Sequence, residues 1–176
     1  GLKEEKGKLV LNKYKVIGTE DDLIKLSKKT QNILIGVGQI KSYKIRLNLF
    51  KKLKKLNFKL PIIKSPYSVI SKFSKIGEGT IIMHGAIVGP NVKIGKNCII
   101  NSKSLIEHGS IIGDNTHIAT SVIINSGVTI GSNNFIGSKT VIRQGIVIGN
   151  DSIIGMGKIL LKNCPPKSFL AKDEKN

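Results

Sequence analysis

An aliphatic residue recurs at every sixth position from residue 76 to residue 160, and this repeat limits the possible folds more than any other feature of the chain. The fifteen residues are Ile76, Ile82, Val88, Ile94, Ile100, Ile106, Ile112, Ile118, Ile124, Ile130, Ile136, Ile142, Ile148, Ile154 and Leu160. Gly often follows the aliphatic residue, and the fifth position of each hexad is usually small. A period of six fits neither an α-helix, with about 3.6 residues per turn, nor the two-residue alternation of a flat strand. The repeat therefore predicts short β-segments, joined by tight corners, that each direct one aliphatic side chain inward.

Three such segments form one triangular coil of eighteen residues, so the fifteen hexads predict about five coils. With about 4.8 Å between successive strands, the prism would be roughly 24 Å tall. Over residues 76–165 the pattern resembles the left-handed parallel β-helix of the hexapeptide-repeat acyltransferases. We therefore expect a partial Rossmann-like α/β domain over residues 1–70, a left-handed β-helix over residues 71–166 and a C-terminal tail over residues 167–176.

The two cysteines lie eleven whole hexads apart, both at the small fifth position. We expect Cys98 and Cys164 to pack inward as compact hydrophobic side chains without a chemical role. Two cysteines are too few for a disulfide-stabilised secreted scaffold, and their spacing does not indicate a zinc site. No window approaches the roughly 18 consecutive apolar residues of a membrane helix. The sequence predicts a soluble protein of the reducing cytoplasm that needs no metal ion.

The net charge of +18 is concentrated in the first part of the chain. Residues 1–75 carry a net charge of +14, and residues 76–176 carry +4. A basic surface attracts any polyanion, including nucleotides, CoA and acidic lipids. Because the chain has no Trp, few aromatic residues and no recognition motif, it does not favour nucleic-acid binding. We interpret the excess as a composition rich in Lys, Ile and Asn.

Alternating strand and helix patterns precede the repeat. Residues 16–17, 31–37 and 60–63 are predicted as strands, and residues 40–57 as an amphipathic helix. Thr19, followed by three acidic residues, is expected to cap a short helix. The arrangement resembles half of a Rossmann-type domain that lacks one strand–helix unit at its start.

The predicted helix has an apolar side and a lysine-rich side. Its apolar side consists of Ile45, Leu49, Leu53 and Leu56. Gly36 and Gly38 precede it, but Lys41 stands where a phosphate-binding fingerprint has its third glycine. We therefore interpret this segment as a plain strand-to-helix turn.

The segment 99–119 departs from the repeat. Where the repeat favours Gly or another small residue, the chain has Asn101 and Glu107, and His108 follows directly. The segment (Ile-Ile-Asn-Ser-Lys-Ser-Leu-Ile-Glu-His-Gly-Ser-Ile-Ile-Gly-Asp-Asn-Thr-His-Ile-Ala) closely resembles the active-site segment of the sialic acid O-acetyltransferase and UDP-4-amino-sugar (bacillosamine-type) N-acetyltransferase family. The α/β part resembles the nucleotide-sugar-binding module of the same family.

The resemblance implies that His108 is the general base that takes a proton from the acceptor amine or hydroxyl. Glu107 and Asn101 match the family's neighbouring glutamate and asparagine. Relatives usually carry Asp, Glu or Asn after the histidine, where this chain has Gly109, so either Glu107 or a backbone carbonyl orients the ring or the base is weakened. His117 matches the family's second histidine, which lies near the acetyl group and the acceptor sugar. Because His108 and His117 lie on different faces, a neighbouring subunit of a homotrimer must supply one of them.

Residues eighteen apart occupy the same place on successive coils and form columns. One column consists of His108, Ser126, Gln144 and Lys162, and a second consists of Ser102, Thr120, Ser138 and Met156. The resemblance implies that the Ser126 amide binds the thioester oxygen. It also implies that the backbones of Ser138 and Met156 line the pantetheine groove of acetyl-CoA. Gln144 belongs to the same predicted acetyl-CoA site.

Lysines near the end of the repeat are candidates for the CoA phosphates. Three coils place Lys162 about 14 Å from His108, a distance comparable with an extended pantetheine arm. Lys158 and Lys167 lie close to it in sequence and are expected to help bind phosphate. The stretch 168–172 lacks the Gly-Asn-Pro-Ala ending common in relatives, so the resemblance assigns no residues to the adenine end of the site.

The sequence therefore predicts an acetyl-CoA-dependent acetyltransferase that forms a homotrimer with its active sites between subunits. The expected acceptor is the amine of a UDP-linked amino sugar in bacterial surface-glycan biosynthesis. A sugar O-acetyltransferase of the sialic-acid type and a non-catalytic trimeric scaffold remain alternatives. A carbonic anhydrase of this fold is disfavoured because the three histidines, at intervals of 24 and 9 residues, do not form its His-x-x-x-x-His pair. With no Cys or Ser placed as an acyl nucleophile, we expect direct transfer.

Overall fold

The computed structural model describes residues 3–170. Eighteen two-residue strands form three parallel sheets that wrap into a left-handed β-helix of about six coils. Face 1 contains β4 (Val69–Ile70), β7 (Ile87–Val88), β10 (Leu105–Ile106), β13 (Ile123–Ile124), β16 (Val141–Ile142) and β19 (Ile159–Leu160). Face 2 contains β5 (Lys75–Ile76), β8 (Lys93–Ile94), β11 (Ile111–Ile112), β14 (Thr129–Ile130) and β17 (Val147–Ile148). Face 3 contains β3 (Ile63–Lys64), β6 (Ile81–Ile82), β9 (Ile99–Ile100), β12 (His117–Ile118), β15 (Phe135–Ile136), β18 (Ile153–Ile154) and β20 (Phe169–Leu170).

The second residue of each strand points into the prism. Ile106 lies opposite Val88 on one neighbouring strand and Ile124 on the other, so the ladder repeats every eighteen residues. All the ladder residues from Ile82 to Leu160 are buried, as the period of six predicts. Each contributes on the order of 2 kcal/mol of transfer free energy, and together they form the main core of the molecule.

Polar residues at the small fifth position are buried with their hydrogen bonds satisfied. The Thr116 hydroxyl donates to the Gly131 carbonyl at 3.0 Å and accepts from the Asn134 amide at 3.3 Å. One coil further on, Asn134 Oδ1 accepts from the Ser152 amide at 2.6 Å. Because such bonds link one coil to the next, these polar groups stabilise the stacking.

The β-helix is longer than the five predicted coils. It begins with β3, because Ile70 also fits the period of six and Lys64 occupies a ladder place opposite Ile82. It ends with β20, which lies inside the predicted tail and pairs with β18. The division into domains stays a prediction, and residues 171–176 of the predicted tail and residues 1–2 lie outside the described residues.

A shift of register near the C-terminal end explains why the last strands of the β-helix do not follow the six-residue period. Leu160 lies opposite Ile142, eighteen residues away, but Cys164 lies opposite Ile148, only sixteen residues away. The corner between them is therefore two residues shorter than the others. The prediction that Cys164 packs at a fifth position is wrong, because the short corner moves its buried thiol to a ladder place. Cys98 packs inward as predicted.

The residues before the β-helix form a small unit with two short helices. A 3-10 helix covers Lys3–Glu5, and β1 (Leu9–Val10) pairs antiparallel with β2 (Tyr14–Lys15). A second 3-10 helix (Glu20–Asp22) leads into α1 (Leu23–Ser27), and α2 covers Lys44–Lys55. Thr19 caps the second 3-10 helix with its side chain, as predicted, in a capping box with Asp22.

The predicted half of a Rossmann-type domain is only partly present. Residues 16–17 and 31–37 form no strand, and the latter segment makes a single isolated bridge, between Asn32 and Lys59. The predicted strand 60–63 instead leads into β3. Gln31 and Ile33 exchange backbone hydrogen bonds with Lys59, and this single parallel bridge is not continued into a ladder. Residues 31–37 are held by a small core of Leu23, Ile35, Leu53, Phe58 and Leu60.

The apolar side of α2 differs from the prediction at one place. Ile45 is 64% exposed, whereas the neighbouring Arg46 is completely buried. Arg46 shares a helix side with Leu49 and Leu53, which pack in the N-terminal core. Among residues 3–170, no helix is long and apolar enough to cross a membrane.

Candidate functional site

His108 lies at a corner between faces 1 and 2, directly after β10. Its side chain is exposed, and its backbone carbonyl accepts a hydrogen bond from the Gly127 amide at 3.0 Å. Within residues 3–170 neither the His108 ring nor the half-buried Glu107 carboxylate has a hydrogen bond or ion pair. The proposed orientation of the ring by Glu107 or by a backbone carbonyl is therefore not present within one subunit.

The backbone conformation at position 109 explains why this residue is a glycine. It has φ of +70°, in the left-handed region that glycine enters without strain. The same step of other corners also has positive φ, at Gly79, Gly85, Asn91, Asn97, Lys103, Asn115, Ser121, Gly127, Asn133, Lys139, Gly145, Asp151 and Gly157. Asn and Asp tolerate this conformation better than most residues, so one geometric demand accommodates both Gly109 and the residues expected in relatives.

Asn101 lies beside His117, not beside His108. Asn101 follows β9 on face 3, and its Nδ2 lies 3.5 Å from Nε2 of His117 in β12. Its Oδ1 accepts from the Ser102 amide at 2.7 Å. Asn101 and His108 occupy different corners of the prism, so the expectation that Asn101 lies near His108 stays a prediction that needs a second subunit.

His117 is buried by the chain's own N-terminal part. Its Nδ1 donates to the backbone carbonyl of Gln39, and the ring of Phe135 packs edge-on with its centroid 5.3 Å away. Burial lowers the pKa of the imidazole, the Gln39 hydrogen bond opposes that shift, and the charge of Arg46 lowers the pKa further. His117 is therefore a neutral side chain at neutral pH, with its Nε2 lone pair facing Asn101.

The first predicted column stacks as expected over its first three members. The Gly127 amide donates to the His108 carbonyl, and the Gly145 amide donates to the Ser126 carbonyl, both at 3.0 Å. Ser126 is half-buried and Gln144 is exposed. Among the described residues, the Ser126 amide donates no hydrogen bond, so this N–H is free to bind a ligand.

Lys162 does not continue this column in the predicted register. The coil above Gln144 has the shortened corner, and within residues 3–170 no amide donates to the Gln144 carbonyl. Lys162 is exposed at that corner, and Lys167 is exposed on the next. Lys158 is half-buried at a fifth position, stacked above Thr140, whose hydroxyl accepts from the Lys158 amide at 3.3 Å.

The second column stacks along the corner between faces 3 and 1. Three backbone bonds link it: Ser121 to the Ser102 carbonyl, Lys139 to the Thr120 carbonyl and Gly157 to the Ser138 carbonyl. Met156 ends the column and is 66% exposed. The two columns therefore run along the two edges of face 1.

The cysteines offer no activated thiolate. Burial raises the pKa of the Cys98 thiol to about 12, and burial also raises the pKa of Cys164. A buried neutral thiol is a poor nucleophile. No group of three or more His, Cys, Asp or Glu side chains within residues 3–170 could hold a metal ion.

A pocket of about 250 Å³ lies where the N-terminal part meets face 3. Its lining includes Gln39, Lys41, Tyr43, Lys44, Phe135 and Asp151. Gln39 and Phe135 also contact His117, so this pocket adjoins the histidine. The Tyr43 hydroxyl bonds to Asp151, which together with burial raises the pKa of the tyrosine.

The sequence did not single out Gln39, Arg46 or Phe135 as parts of this site. One signal for Arg46 was present, since a charged residue falls on the apolar side of α2. Gln39 and Phe135 belong to no motif, because their importance depends on the contact between the N-terminal part and face 3.

A parallel β-helix with a hexad ladder and two corner columns defines the class of hexapeptide-repeat proteins. The model of the bacterial transferase hexapeptide family (six repeats) matches residues 73–108, 109–144 and 127–162, which together form just over half of the chain. The protein belongs to this family, which confirms the predicted repeat fold. A search of curated proteins with the sequence finds no significant match.

Solved structures share most of the fold of this chain. WeeI from Acinetobacter baumannii superposes with a TM-score of 0.83 and 26% identity, covering 93% of this chain and 77% of its own. The acetyltransferase domain of PglB from Neisseria gonorrhoeae gives 0.82 and 26%, covering 91% and 76%. PerB from Caulobacter crescentus, solved with CoA and GDP-perosamine, gives 0.84 and 24%, covering 88% and 74%. These neighbours confirm the predicted resemblance to sugar N-acetyltransferases of this fold.

Proposed function

We propose that the protein is an acetyl-CoA-dependent acetyltransferase that acetylates the amine of a nucleotide-linked amino sugar. The observation that carries the proposal is the position of the two corner columns on either side of one apolar face. One column contains His108 and the free Ser126 amide, and the other contains Ser138 and Met156. Family membership and the acetyltransferases among the structural neighbours support the same activity.

The outer side of face 1 is apolar over its full height. Its outward residues are Val69, Ile87, Leu105, Ile123, Val141 and Ile159. Four of them are well exposed, from 37% for Ile123 to 70% for Ile159. A continuous apolar surface of this kind indicates a protein contact. We propose that face 1 forms the subunit contact of a homotrimer.

A three-fold ring through face 1 would complete the active site. In a ring, one edge of the face in each subunit meets the other edge in the next subunit. The edge with Asn101 and Ser138 would then lie against the neighbour's edge with His108 and Ser126. This arrangement would bring His117 and His108 of different subunits towards one site, as the sequence analysis expects.

The residues of such a site have distinct chemical roles. The acceptor nitrogen attacks the thioester carbon while His108 takes its proton. The Ser126 amide stabilises the oxyanion of the tetrahedral intermediate. The carbon–sulfur bond then breaks, and the CoA sulfur leaves with the proton returned by His108. Because both cysteine thiols are buried with raised pKa values, we propose direct transfer rather than an acyl-enzyme.

The acetyl-CoA arm would extend along the groove between the columns towards the C-terminal end. Gln144, Ser138 and Met156 would line it, and Lys158 and Lys162 would meet the phosphates. The shortened corner keeps Lys162 on the third coil above His108, at about 14 Å, although its place around the coil differs from the prediction.

The acceptor would approach from the pocket beside His117. Lys41 and Lys44 at this pocket supply positive charge for a diphosphate, and Phe135 supplies an apolar surface for a sugar ring. Perosamine N-acetyltransferase from Caulobacter crescentus, with a TM-score of 0.88 and 22% identity, was solved with GDP-perosamine. By the resemblance in the sequence, we propose a UDP-linked amino sugar as the acceptor here.

Calorimetric titration of acetyl-CoA into the purified chain, with the molar mass measured on the same sample, tests the proposal. We expect saturable binding of about one molecule per subunit on a trimer, followed by acetylation when an amino-sugar nucleotide is added. A titration with CoA, which lacks the acetyl group, is the matched control and measures the binding that the CoA part alone provides. An intact trimer that does not bind acetyl-CoA would contradict the proposal and favour a non-catalytic scaffold.

A further inference from the structure

Arg46 is a buried cation at the contact between the N-terminal part and the β-helix. Its side chain is completely buried and donates to four backbone carbonyls. Nη1 donates to Ile35 at 2.7 Å and to Val37 at 2.8 Å, both in the N-terminal part. Nε donates to Asn97 and Nη2 to Gly79, both at 3.2 Å, in the β-helix. The Arg46 guanidinium therefore links the N-terminal part to the β-helix.

No carboxylate compensates the charge of Arg46 within residues 3–170. Burial lowers the pKa of the guanidinium to about 10, so it stays charged at neutral pH. Burying a charge without an ion pair is costly, and an apolar residue would fill this place on α2 at lower cost. The arrangement is typical of a side chain that fixes geometry rather than one that only adds stability.

The segment that Arg46 holds, residues 35–39, begins with Ile35 in the N-terminal core and has no regular backbone pairing after it. It has no regular secondary structure and includes Gly36 and Gly38, where an added Cβ atom would meet no neighbouring atom within 4 Å. At its end the Gln39 side chain donates through Nε2 to the Asn115 carbonyl at 2.7 Å and to the Asn134 carbonyl at 3.3 Å. Arg46 and the Gln39 side chain thus anchor the segment at both ends.

The backbone carbonyl of Gln39 meets Nδ1 of His117. A carbonyl oxygen only accepts hydrogen bonds, so Nδ1 must carry the ring proton in this contact. The neutral ring then has its lone pair on Nε2, which faces Asn101. The position of a single backbone carbonyl therefore decides which tautomer His117 adopts.

We propose that Arg46 and the Gln39 side chain are positioning residues that fix the tautomer of His117 by holding residues 35–39 against face 3. The active-site importance of His117 rests on the proposed acetyltransferase function. The tautomer itself does not, because every contact in the argument lies within one chain. Gln39, at the end of the segment, also lines the pocket proposed for the acceptor, so a ligand that moves Gln39 would change the tautomer of His117 directly.

The imidazole signals of isotope-labelled protein test the proposal by nuclear magnetic resonance. The chain has three histidines, so the spectrum is assigned with the variants His84→Asn and His108→Asn. In the wild type we expect His117 to carry its proton on Nδ1. Arg46→Lys keeps the charge but cannot reach four carbonyls, and Gln39→Ala removes the second anchor while keeping the backbone carbonyl. Each should convert His117 to a mixture of the two tautomers.

Arg143→Lys is the matched control, because it makes the same change at the only other arginine, which is exposed. It should leave the His117 signals as they are in the wild type. If Arg46→Lys does not fold, Gln39→Ala decides the question, since it leaves Arg46 and the N-terminal core in place. Folded variants of both kinds with an unchanged Nδ1 proton would overturn the proposal and leave Arg46 a purely structural role.

Kinetics add a second readout once acetyl transfer is measured. We expect kcat of both variants to fall by up to about 100-fold, with KM for acetyl-CoA unchanged, because the donor groove is not altered. A tautomer change in a protein without acetyltransferase activity would support the positioning role and contradict the proposed function. A tautomer change without an effect on kcat would support the positioning role of Arg46 and Gln39 and contradict a role of the His117 tautomer in acetyl transfer.

Discussion

His108 is the residue on which the proposed chemistry depends most. It is exposed at a corner, where its side chain has no partner among residues 3–170. A corner serves this purpose better than a strand, because a side chain on a strand either points into the core or contacts its neighbours on successive coils. Gly109, with φ of +70°, leaves open space beside the ring. A group from another subunit or from the substrate can therefore orient the imidazole.

We expect His108→Ala to lower kcat by about 10²- to 10⁴-fold, the usual contribution of a general base. Acetyl-CoA binding and the molar mass should not change, because the exposed ring makes no hydrogen bond or ion pair with the rest of residues 3–170. Steady-state kinetics with calorimetry on the same sample measures both. His84→Ala is the control, since His84 is also an exposed corner histidine, and its ring stacks on Tyr67. Unchanged turnover in His108→Ala would remove His108 from the mechanism.

The Ser126 amide is testable because proline already occupies the same column. Pro90 lies one coil below His108, and its carbonyl accepts from the Gly109 amide at 3.1 Å. Ser126→Pro should therefore fold, while it removes the N–H proposed to bind the oxyanion. We expect kcat to fall about 10²- to 10³-fold. Ser126→Ala retains the amide and should keep full activity; an equal loss in both variants would indicate a role for the hydroxyl instead.

At the scale of elements, most strands place their first residue on the outer side and their second residue in the core. In β11, Ile112 is 2% exposed and Ile111 is 41% exposed. Because eighteen such strands stack, substitutions are tolerated poorly at the inward positions and much better at the outward positions. The shortened corner between Leu160 and Cys164 shows that the coil can lose two residues and still place β20 beside β18 on face 3.

Ile112→Asp should destabilise the fold by at least about 4 kcal/mol, because it removes a buried aliphatic side chain and buries a carboxylate without a partner. Ile111→Asp makes the same change one residue earlier on the outer side of face 2. It should cost no more than about 1 kcal/mol. Urea unfolding followed by circular dichroism compares them. Similar midpoints for the two variants would contradict the assignment of the inward side.

At the scale of the whole molecule, face 1 differs from face 2. The outward positions of face 1 are all aliphatic, whereas face 2 presents Lys75, Lys93 and Thr129 among its outward residues. A solvent-exposed aliphatic column beside both candidate columns has a simple explanation if a second subunit covers it. The oligomer and the active site would then depend on the same surface.

Ile123→Lys on face 1 should convert the trimer to monomers, because it places a charge in the middle of the proposed contact. The variant should stay folded, since Ile123 is on the outer side of β13 and the ladder residue Ile124 is untouched. Activity should disappear together with the trimer. Light scattering and circular dichroism measure these properties, and Ile111→Lys on face 2 is the control. A trimeric Ile123→Lys protein would show that another surface makes the contact.

The repeat alone was sufficient to predict the β-helix, the inward ladder and the stacking of both corner columns except for Lys162. A period of six with one aliphatic per hexad leaves a chain few other ways to bury its apolar side chains. The same period predicted that His108, Ser126 and Gln144 stack on successive coils, as they do in the structure. It missed β3 and β20, because Lys64 and the two-residue shift before Cys164 break the period.

Only the tertiary structure decided how the N-terminal part packs and what surrounds His117. The burial of Arg46 in place of Ile45, the anchoring of Gln39 and the pairing of Asn101 with His117 have no period in the sequence. They depend on irregular segments that meet face 3 from far along the chain. Local patterns encode the contacts that every coil repeats, whereas contacts made once, between a loop and a face, are set by the packing of the whole molecule.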